Sequence, residues 1–226
     1  MAENHNYIHI PKTGGTAMKH AVDAGKEQNK ELPNIVMPKA GHSQHLKNMT
    51  NACFIIRHPW DRFCSGFWER ATFSKRKELS ETTYSGVKSF GYKRLSVLEE
   101  EILAECKTPD QFATYIRTGG KTAGHGEALF ELTGSYTHWV GYLEEFKNNE
   151  DKIKMVFHIN NLTKVMEEVY NLKMPTDPFL KRSRTLFNMD QPYRISPANK
   201  KWFQDEYHKH DYELIAYIKT RPFYYE

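Results

Sequence analysis

The amino-acid sequence predicts an α/β protein with a central parallel sheet. Three short, largely apolar runs of strand character occur along its 226 residues, at Tyr7–Ile10, Asn51–Arg57 and Lys154–Ile159. Each run is followed by a proline or a polar turn and then by a stretch that is typical of a helix. Strands that alternate with helices in this way favour a parallel sheet, because a parallel pair needs a long connection.

The first two strands each lead into a helix through a clear signal. Pro11 stops the first strand, and a glycine-containing turn precedes a helix predicted over residues 16–24. The second run suits a strand that is buried on both faces, because its centre is apolar without alternation. Pro59 ends this strand and can occupy the first turn of a helix over residues 60–73.

The remaining elements follow from the same signals. The third strand precedes a helix predicted over residues 162–170. Ser196 and Pro197 supply an N-cap and a first-turn proline for one last helix, which carries apolar residues as far as Ile218. Between the second and third strands, residues 74–141 are mostly helical or irregular, with candidate helices near 95–105 and 109–117. We expect this segment to be an insertion beside the sheet.

The composition excludes several classes of protein. Hydrophobic residues make up 39% and charged residues 27%, a balance typical of a globular protein rather than a disordered one. The chain has no internal repeat and no long linker, so a single domain over residues 1–226 is predicted. No apolar run approaches the roughly 18 residues that a membrane span needs, and the first residues do not resemble a secretory signal.

The cysteines and the net charge narrow the choice further. The three cysteines cannot all pair within one chain and none stands in a CxxC spacing, which argues against a disulfide scaffold or a zinc ribbon. A reducing compartment is therefore the simpler expectation. The net charge of +4 is too small to indicate a nucleic-acid-binding protein by itself.

Residues Pro11–Thr16 have the composition of a phosphate- or sulfate-binding loop. They lie between a strand and a helix, where backbone N–H groups and a helix N-terminus converge. Gly14 and Gly15 permit a close approach of the backbone, and Lys12 adds a cation. The loop is not a Walker A motif, in which the lysine follows the glycines.

Two motifs together resemble those of sulfotransferases that use 3′-phosphoadenosine 5′-phosphosulfate (PAPS). Residues His9–Thr16 resemble the 5′-phosphosulfate loop of this family, and Ile56–Ser65 resemble its 3′-phosphate motif. In the second motif an arginine ends a strand and a serine eight residues later lies on the next helix, as Arg57 and Ser65 do here. The family usually has an acidic residue after the arginine, where this chain has His58.

The resemblance implies a P-loop-like three-layer fold, in which helices flank a central parallel sheet. It also implies that the nucleotide is bound by residues of both motifs, namely Lys12, Thr13, Gly14, Gly15, Thr16, Ala17, Arg57 and Ser65. The family places a loop that closes over the nucleotide at the basic cluster Lys181–Arg184, so Arg182 and Ser183 are further expected contacts. In the family context, the insertion over residues 74–141 would contribute to the acceptor site.

Sulfuryl transfer to a hydroxyl depends mainly on positioning and electrostatics, by analogy with phosphoryl transfer. A sulfuryl group carries less negative charge than a phosphoryl group, so no metal is expected, and the sequence has no motif of metal-site spacing. Lys12 is the candidate that meets charge on the bridging and leaving oxygens, a contribution of about 3–4 kcal/mol for one well-placed donor.

The candidate general base is a histidine. Gly41–Ser43 resembles the Gly-His element of hexuronic-acid O-sulfotransferases, which implies that His42 is the base. An imidazole that titrates near neutrality suits this task. His45 and His138 are alternatives, and His138 belongs to a segment that resembles a His-Trp element of carbohydrate sulfotransferases. An Asp or Glu base, as other sulfotransferases use, also stays open.

The sequence therefore predicts a PAPS-dependent sulfotransferase that acts on a hydroxyl, with a carbohydrate as the preferred acceptor and 3′-phosphoadenosine 5′-phosphate (PAP) as product. A nucleotide or small-molecule kinase is the first alternative, but it would need a lysine after the glycines and Mg²⁺-binding residues. A non-catalytic phosphate- or nucleic-acid-binding protein is the second, although the basic residues are scattered. We expect no nucleic-acid partner. The expected location is cytoplasmic, for a bacterial or viral enzyme, unless the chain is a Golgi-type luminal domain without its anchor.

Overall fold

A computed structural model describes the protein at residues 5–27, 35–36, 45–80, 97–120, 134–174 and 194–226. Its central feature is a five-stranded sheet in which every neighbouring pair of strands is parallel, in the order β2-β1-β3-β4-β5. The strands are β1 (His5–Tyr7), β2 (Ile35–Val36), β3 (Ala52–Ile56), β4 (Ile153–His158) and β5 (Tyr224–Tyr225). The prediction of an α/β protein with a parallel central sheet is confirmed.

Nine α-helices lie within the described ranges. They are α1 (Gly15–Glu27), α2 (Pro59–Ser80), α3 (Val97–Glu105), α4 (Pro109–Arg117), α5 (Thr137–Val140), α6 (Leu143–Lys147), α7 (Leu162–Glu168), α8 (Pro197–Trp202) and α9 (Lys209–Ile218). Short 3₁₀ turns cover Leu46–Asn48, Glu150–Lys152 and Ile159–Asn161. None of the helices in these ranges is long and apolar enough to cross a membrane.

The central strand β3 divides its side chains between two apolar layers. All five of its residues are buried, as the sequence predicts for a strand covered on both faces. Because successive side chains point to opposite faces, Phe54 and Ile56 enter one layer while Cys53 and Ile55 enter the other. Helices therefore cover both faces of the sheet.

Each layer has its own set of helices. In one layer, α5, α6 and α9 pack Trp139, Phe146 and Leu214 against the sheet. In the other, α1 and α7 contribute Met18 and Val165. Full burial of each such side chain stabilises the fold by roughly 1.5–3 kcal/mol, so the two layers hold the sheet in place.

Two differences from the predicted elements have local causes. β1 ends at Tyr7 rather than at Ile10, because Ile10 N–H donates to the carbonyl of Ile8 and the chain turns there. β2 and β5 are strands of two residues each, too short to show a periodic pattern in the sequence.

The predicted continuous last helix is wrong. Ser196 does cap α8, where its hydroxyl accepts from the N–H of Asn199. After α8, however, residues Phe203–Tyr207 form a π-helical turn, and His208 has φ −118° and ψ 23°, outside the helical region. A new helix, α9, starts at Lys209. The break allows the imidazole of His208 to pair with Asp211 in the first turn of α9.

The chain divides into two compact units. The first comprises Met1–Pro59, Ser135–Leu180 and His208–Glu226, and it contains the sheet. The second comprises Trp60–Gly134 and Lys181–Tyr207. In the second unit, Phe63 stacks on Phe112 and makes an edge contact with Phe203, which joins α2, α4 and the π-helical turn.

A polar hub also stabilises the second unit. The side chain of Asn199 is fully buried, and its Nδ2 lies 2.8 Å from both Asp110 Oδ1 and Thr114 Oγ1. Its Oδ1 accepts from Arg117 Nε at 3.0 Å. These bonds fix α8 against α4 and satisfy the amide that the packing buries.

Candidate anion-binding site

The order of the strands identifies one edge of the sheet as the place for a ligand. From β1 the chain crosses to β2 on one side and later returns to β3 on the other side of β1. Neighbouring strands whose connections leave in opposite directions open a crevice at their carboxyl ends, where α/β proteins bind ligands. The loop after β1 and Arg57 after β3 both leave the sheet at this edge.

The loop after β1 has the backbone conformation of an anion-binding nest. Lys12 has φ +66° and Gly14 has φ +99°, so left-handed residues flank Thr13. Successive N–H groups in such alternating conformations form a concave set of donors. Helix α1 begins at Gly15, and its first turn contains no acidic residue. The N-terminus of α1 therefore adds its positive dipole end to this loop.

Lys12 is in a strained conformation. Outside glycine and asparagine, it is the one described residue with a positive φ. A lysine in the left-handed region costs about 1–2 kcal/mol, because its Cβ approaches the following carbonyl oxygen. Strain of this kind concentrates at functional sites, where neighbouring structure maintains it.

Packing explains both glycines of the loop. A Cβ on Gly15 would lie 2.3 Å from Cδ2 of His9, so the ring of His9 occupies the place of a side chain. A Cβ on Gly14 would lie 3.3 Å from Ile159 Cδ1, in addition to its unfavourable φ. Burial raises the pKa of the neighbouring Tyr7 far above its usual value, so that hydroxyl stays neutral. Lys12, in the loop, and Arg57, which donates to its carbonyl, add positive charge here.

Arg57 connects the two motifs. Its Nη1 donates to the backbone carbonyl of Lys12 at 3.2 Å, across 45 residues of sequence. The resemblance assigned Lys12 to the 5′-phosphosulfate loop and Arg57 to the 3′-phosphate motif, and the fold brings them into direct contact. Two cationic side chains and a nest of N–H groups can together bind a polyanion.

The backbone of Arg57 is held by a tyrosine that the sequence analysis did not single out. The hydroxyl of Tyr136 accepts from Arg57 N–H at 2.8 Å and donates to Arg57 C=O at 3.0 Å. The N–H of Tyr136 donates to Asp211 Oδ1 at 2.7 Å. Asp211 is fully buried, and its Oδ2 lies 2.6 Å from His208 Nδ1. No local sequence signal distinguishes Tyr136 among the 13 tyrosines of the chain.

The other predicted site residues are distributed as follows. The hydroxyl of Thr13 is buried and donates to the carbonyl of Ile10 at 2.8 Å, so this side chain stabilises the loop from inside. Thr16 is exposed and Ala17 half-buried, both in the first turn of α1. Ser65 lies about two turns into α2 and belongs to the second unit. His42, Arg182 and Ser183 lie outside the described residues.

His45 and His138, the two alternative bases, lie next to each other. Their ring centroids are 5.1 Å apart in an edge-to-face arrangement, and both line a pocket of about 200 Å³ with Lys47 and Glu145. The carbonyl of Lys47 accepts from Lys152 Nζ at 2.7 Å, immediately before β4 begins. This histidine pair is therefore tied to the amino ends of the strands, whereas Lys12 and Arg57 follow the carboxyl ends.

The pKa of His138 is lowered from its ordinary value. Burial is the larger cause of the lowered pKa of His138, and repulsion by His45 is the smaller one. The neutral form of His138 is therefore favoured in the folded protein.

Among the described residues, no group of three or more His, Cys, Asp or Glu side chains is arranged to bind a metal ion.

No family model, curated protein or solved structure matches the chain. The candidate site is therefore defined by the chain's own geometry and by the motifs of its sequence.

The strain at Lys12 can be measured by comparing two substitutions. Lys12→Ala and Lys12→Gly both remove the ammonium group, but only glycine adopts φ +66° without steric cost. We expect the free energy of unfolding of Lys12→Gly to exceed that of Lys12→Ala by about 1 kcal/mol. Urea denaturation would measure this difference. If Lys12→Gly were no more stable than Lys12→Ala, the strained conformation would be contradicted.

The lowered pKa of His138 predicts a pH dependence of stability. Because the unfolded state has the higher pKa, it binds a proton more readily than the folded state. The contribution of His138 is therefore present above its unfolded pKa of about 6.5 and lost as the pH falls through the folded value. We expect His138→Gln to lose less stability than the wild type between about pH 7.5 and about pH 5.

Urea denaturation at both pH values measures this difference. His20→Gln, on α1, serves as the control and should retain the dependence of the wild type on pH. An unchanged pH dependence in His138→Gln would show that another group causes it.

Proposed function

We propose that the protein is a PAPS-dependent sulfotransferase that transfers a sulfuryl group to a hydroxyl of a carbohydrate. The observation that carries this proposal is the hydrogen bond from Arg57 to the carbonyl of Lys12. It joins two motifs that each resemble a phosphate contact of the same nucleotide, at the edge where α/β proteins bind ligands. A P-loop-like three-layer arrangement is compatible with the parallel sheet and its two layers of helices.

The chemistry of the site suits a donor with several negative charges. The nest at Lys12–Gly14 and the N-terminus of α1 offer backbone donors, and Lys12 and Arg57 offer positive charge. No acidic residue occurs in the first turn of α1 to oppose an anion. In this proposal the 5′-phosphosulfate binds the loop and the 3′-phosphate binds Arg57.

The proposed roles of the residues follow from this assignment. PAPS supplies a sulfuryl group that is activated by its link to phosphate. Lys12 stabilises negative charge on the bridging and leaving oxygens, and the N–H groups of Gly14, Gly15, Thr16 and Ala17 orient the 5′ end. The resemblance adds Arg182 and Ser183 as further proposed nucleotide contacts. The resemblance also proposes residues 74–141 as the source of acceptor contacts.

His42 is the proposed general base, which removes the proton of the acceptor hydroxyl. The resemblance of Gly41–Ser43 to the Gly-His element of hexuronic-acid O-sulfotransferases supports this choice. His45 is tied by its neighbour Lys47 to the amino end of β4, and His138 accompanies it. An acceptor at the carboxyl edge would therefore lie at the other edge of the sheet from this histidine pair, which disfavours the pair as the base.

Nucleotide binding tests the proposal directly. We expect PAP, at about 100 times its dissociation constant, to raise the melting temperature by roughly 5–10 °C, because it binds only the folded state. ATP with Mg²⁺ is the matched comparison and should stabilise less. Stabilisation by ATP with Mg²⁺ alone would favour a kinase and overturn the proposal. Transfer from labelled PAPS to a panel of glycans, tyrosyl peptides and simple alcohols then identifies the acceptor.

Three alanine variants separate binding from transfer. Arg57→Ala should weaken PAP binding about 30-fold, the cost of a charge-assisted hydrogen bond. Lys12→Ala should lower turnover about 100- to 1,000-fold, as loss of one charge-stabilising donor does. His42→Ala should leave PAP affinity nearly unchanged and lower turnover by at least about 100-fold.

Calorimetry and steady-state kinetics with labelled PAPS measure these effects. His45→Ala is the control for His42→Ala, because it removes an imidazole close by in sequence, and its turnover should stay near that of the wild type. If His42→Ala kept full turnover, another group would have to be the base. If Lys12→Ala kept full turnover, its proposed role would be wrong.

A further inference from the structure

The two bonds of Tyr136 replace a missing strand neighbour at Arg57. β3 ends at Ile56, so the backbone of Arg57 has passed the last paired residue of the sheet. The Tyr136 hydroxyl accepts from its N–H and donates to its C=O, and the tyrosine is itself buried. Both backbone polar groups of this one residue are thus satisfied by one side chain, 79 residues away in sequence.

Tyr136 is itself held in place. Its N–H donates to the carboxylate of Asp211, which also accepts from the hydroxyl of Ser135 and pairs with His208. Asp211 is fully buried, so this carboxylate exchanges its hydration for bonds to these three residues. The position of the Tyr136 backbone is therefore determined by a polar network centred on Asp211 in α9.

Arg57 is consequently fixed at both ends. Tyr136 holds its backbone, and the carbonyl of Lys12 accepts from its guanidinium at 3.2 Å. Arginine has a long and flexible side chain, so a fixed backbone and one fixed nitrogen reduce the number of positions that the guanidinium occupies. Such restriction lowers the cost of ordering the group when an anion binds.

We propose that Tyr136 is a positioning residue that presents Arg57 to the 3′-phosphate of the nucleotide. This inference rests on the proposed function and goes beyond it, because it assigns selectivity for the 3′-phosphate to a residue that does not touch the ligand. Asp211 acts one step further away, through the backbone of Tyr136.

The test compares two nucleotides that differ only in the 3′-phosphate, PAP and AMP. Tyr136→Phe keeps the ring and removes the hydroxyl that binds Arg57. We expect PAP to bind about ten-fold more weakly, and AMP to change by less than about two-fold, because AMP does not use Arg57. Calorimetric titration measures both affinities. Tyr142→Phe, which removes the hydroxyl of an exposed tyrosine, should change neither.

A purely structural role would give a different result. A general disturbance of the fold would weaken the binding of PAP and of AMP alike. If Tyr136→Phe folds and the ratio of its PAP affinity to its AMP affinity is that of the wild type, the inference is overturned. A double variant with Arg57→Ala adds a second test. Once Arg57 is absent there is nothing to position, so Tyr136→Phe should then have no further effect on PAP affinity.

Two further outcomes concern variants that do not fold and a wild type that does not prefer PAP. If Tyr136→Phe does not fold, Asp211→Asn alters the same network one residue further from Arg57 and should lower the affinity for PAP relative to AMP in the same direction. Failure of both variants to fold would assign the network to stability and overturn the inference. A wild type that binds PAP no more tightly than AMP would overturn the proposed function itself, and the inference with it.

Discussion

β1 and β3 lie side by side and run in the same direction, so the chain leaves both strands at one edge of the sheet. Tyr7 pairs with Cys53 in this register, and the segments that follow continue next to each other. The bond between Arg57 and the carbonyl of Lys12 depends on this pairing. An antiparallel arrangement would send the two motifs to opposite edges. The candidate site therefore rests on the parallel pairing, and the helices on both faces keep that sheet in place.

A buried carboxylate lies on the helix that also contributes Leu214 to an apolar layer. Asp211 is fully buried, and a lone carboxylate there would cost several kcal/mol. Bonds from Ser135, Tyr136 and His208 offset that cost. The same bonds extend through Tyr136 to Arg57, so one network serves the packing of α9 and the geometry of the site. The break in the last helix at His208 belongs to this arrangement.

The local elements of the fold were largely predictable because their signals are local. Pro59 begins α2 and Ser196 caps α8 where the sequence indicates, since capping depends on residues within one turn. The break at His208 was not predictable, because a partner for its imidazole appears only in the folded chain. In the candidate site, the loop motif predicted Lys12 and the glycines. It did not predict that His9 occupies the place of a side chain on Gly15.

The sequence by itself determined the parallel α/β class, and it was enough to single out the loop after β1 and Arg57 as candidate anion-binding groups. Each of these depends on which residue types stand close together along the chain, and the sequence alone gives that information. Only the tertiary structure decided that Arg57 meets Lys12 and that Tyr136 holds Arg57, across separations of 45 and 79 residues. The physical reason is that hydrogen bonds form between atoms about 3 Å apart, and only folding decides which distant residues come that close.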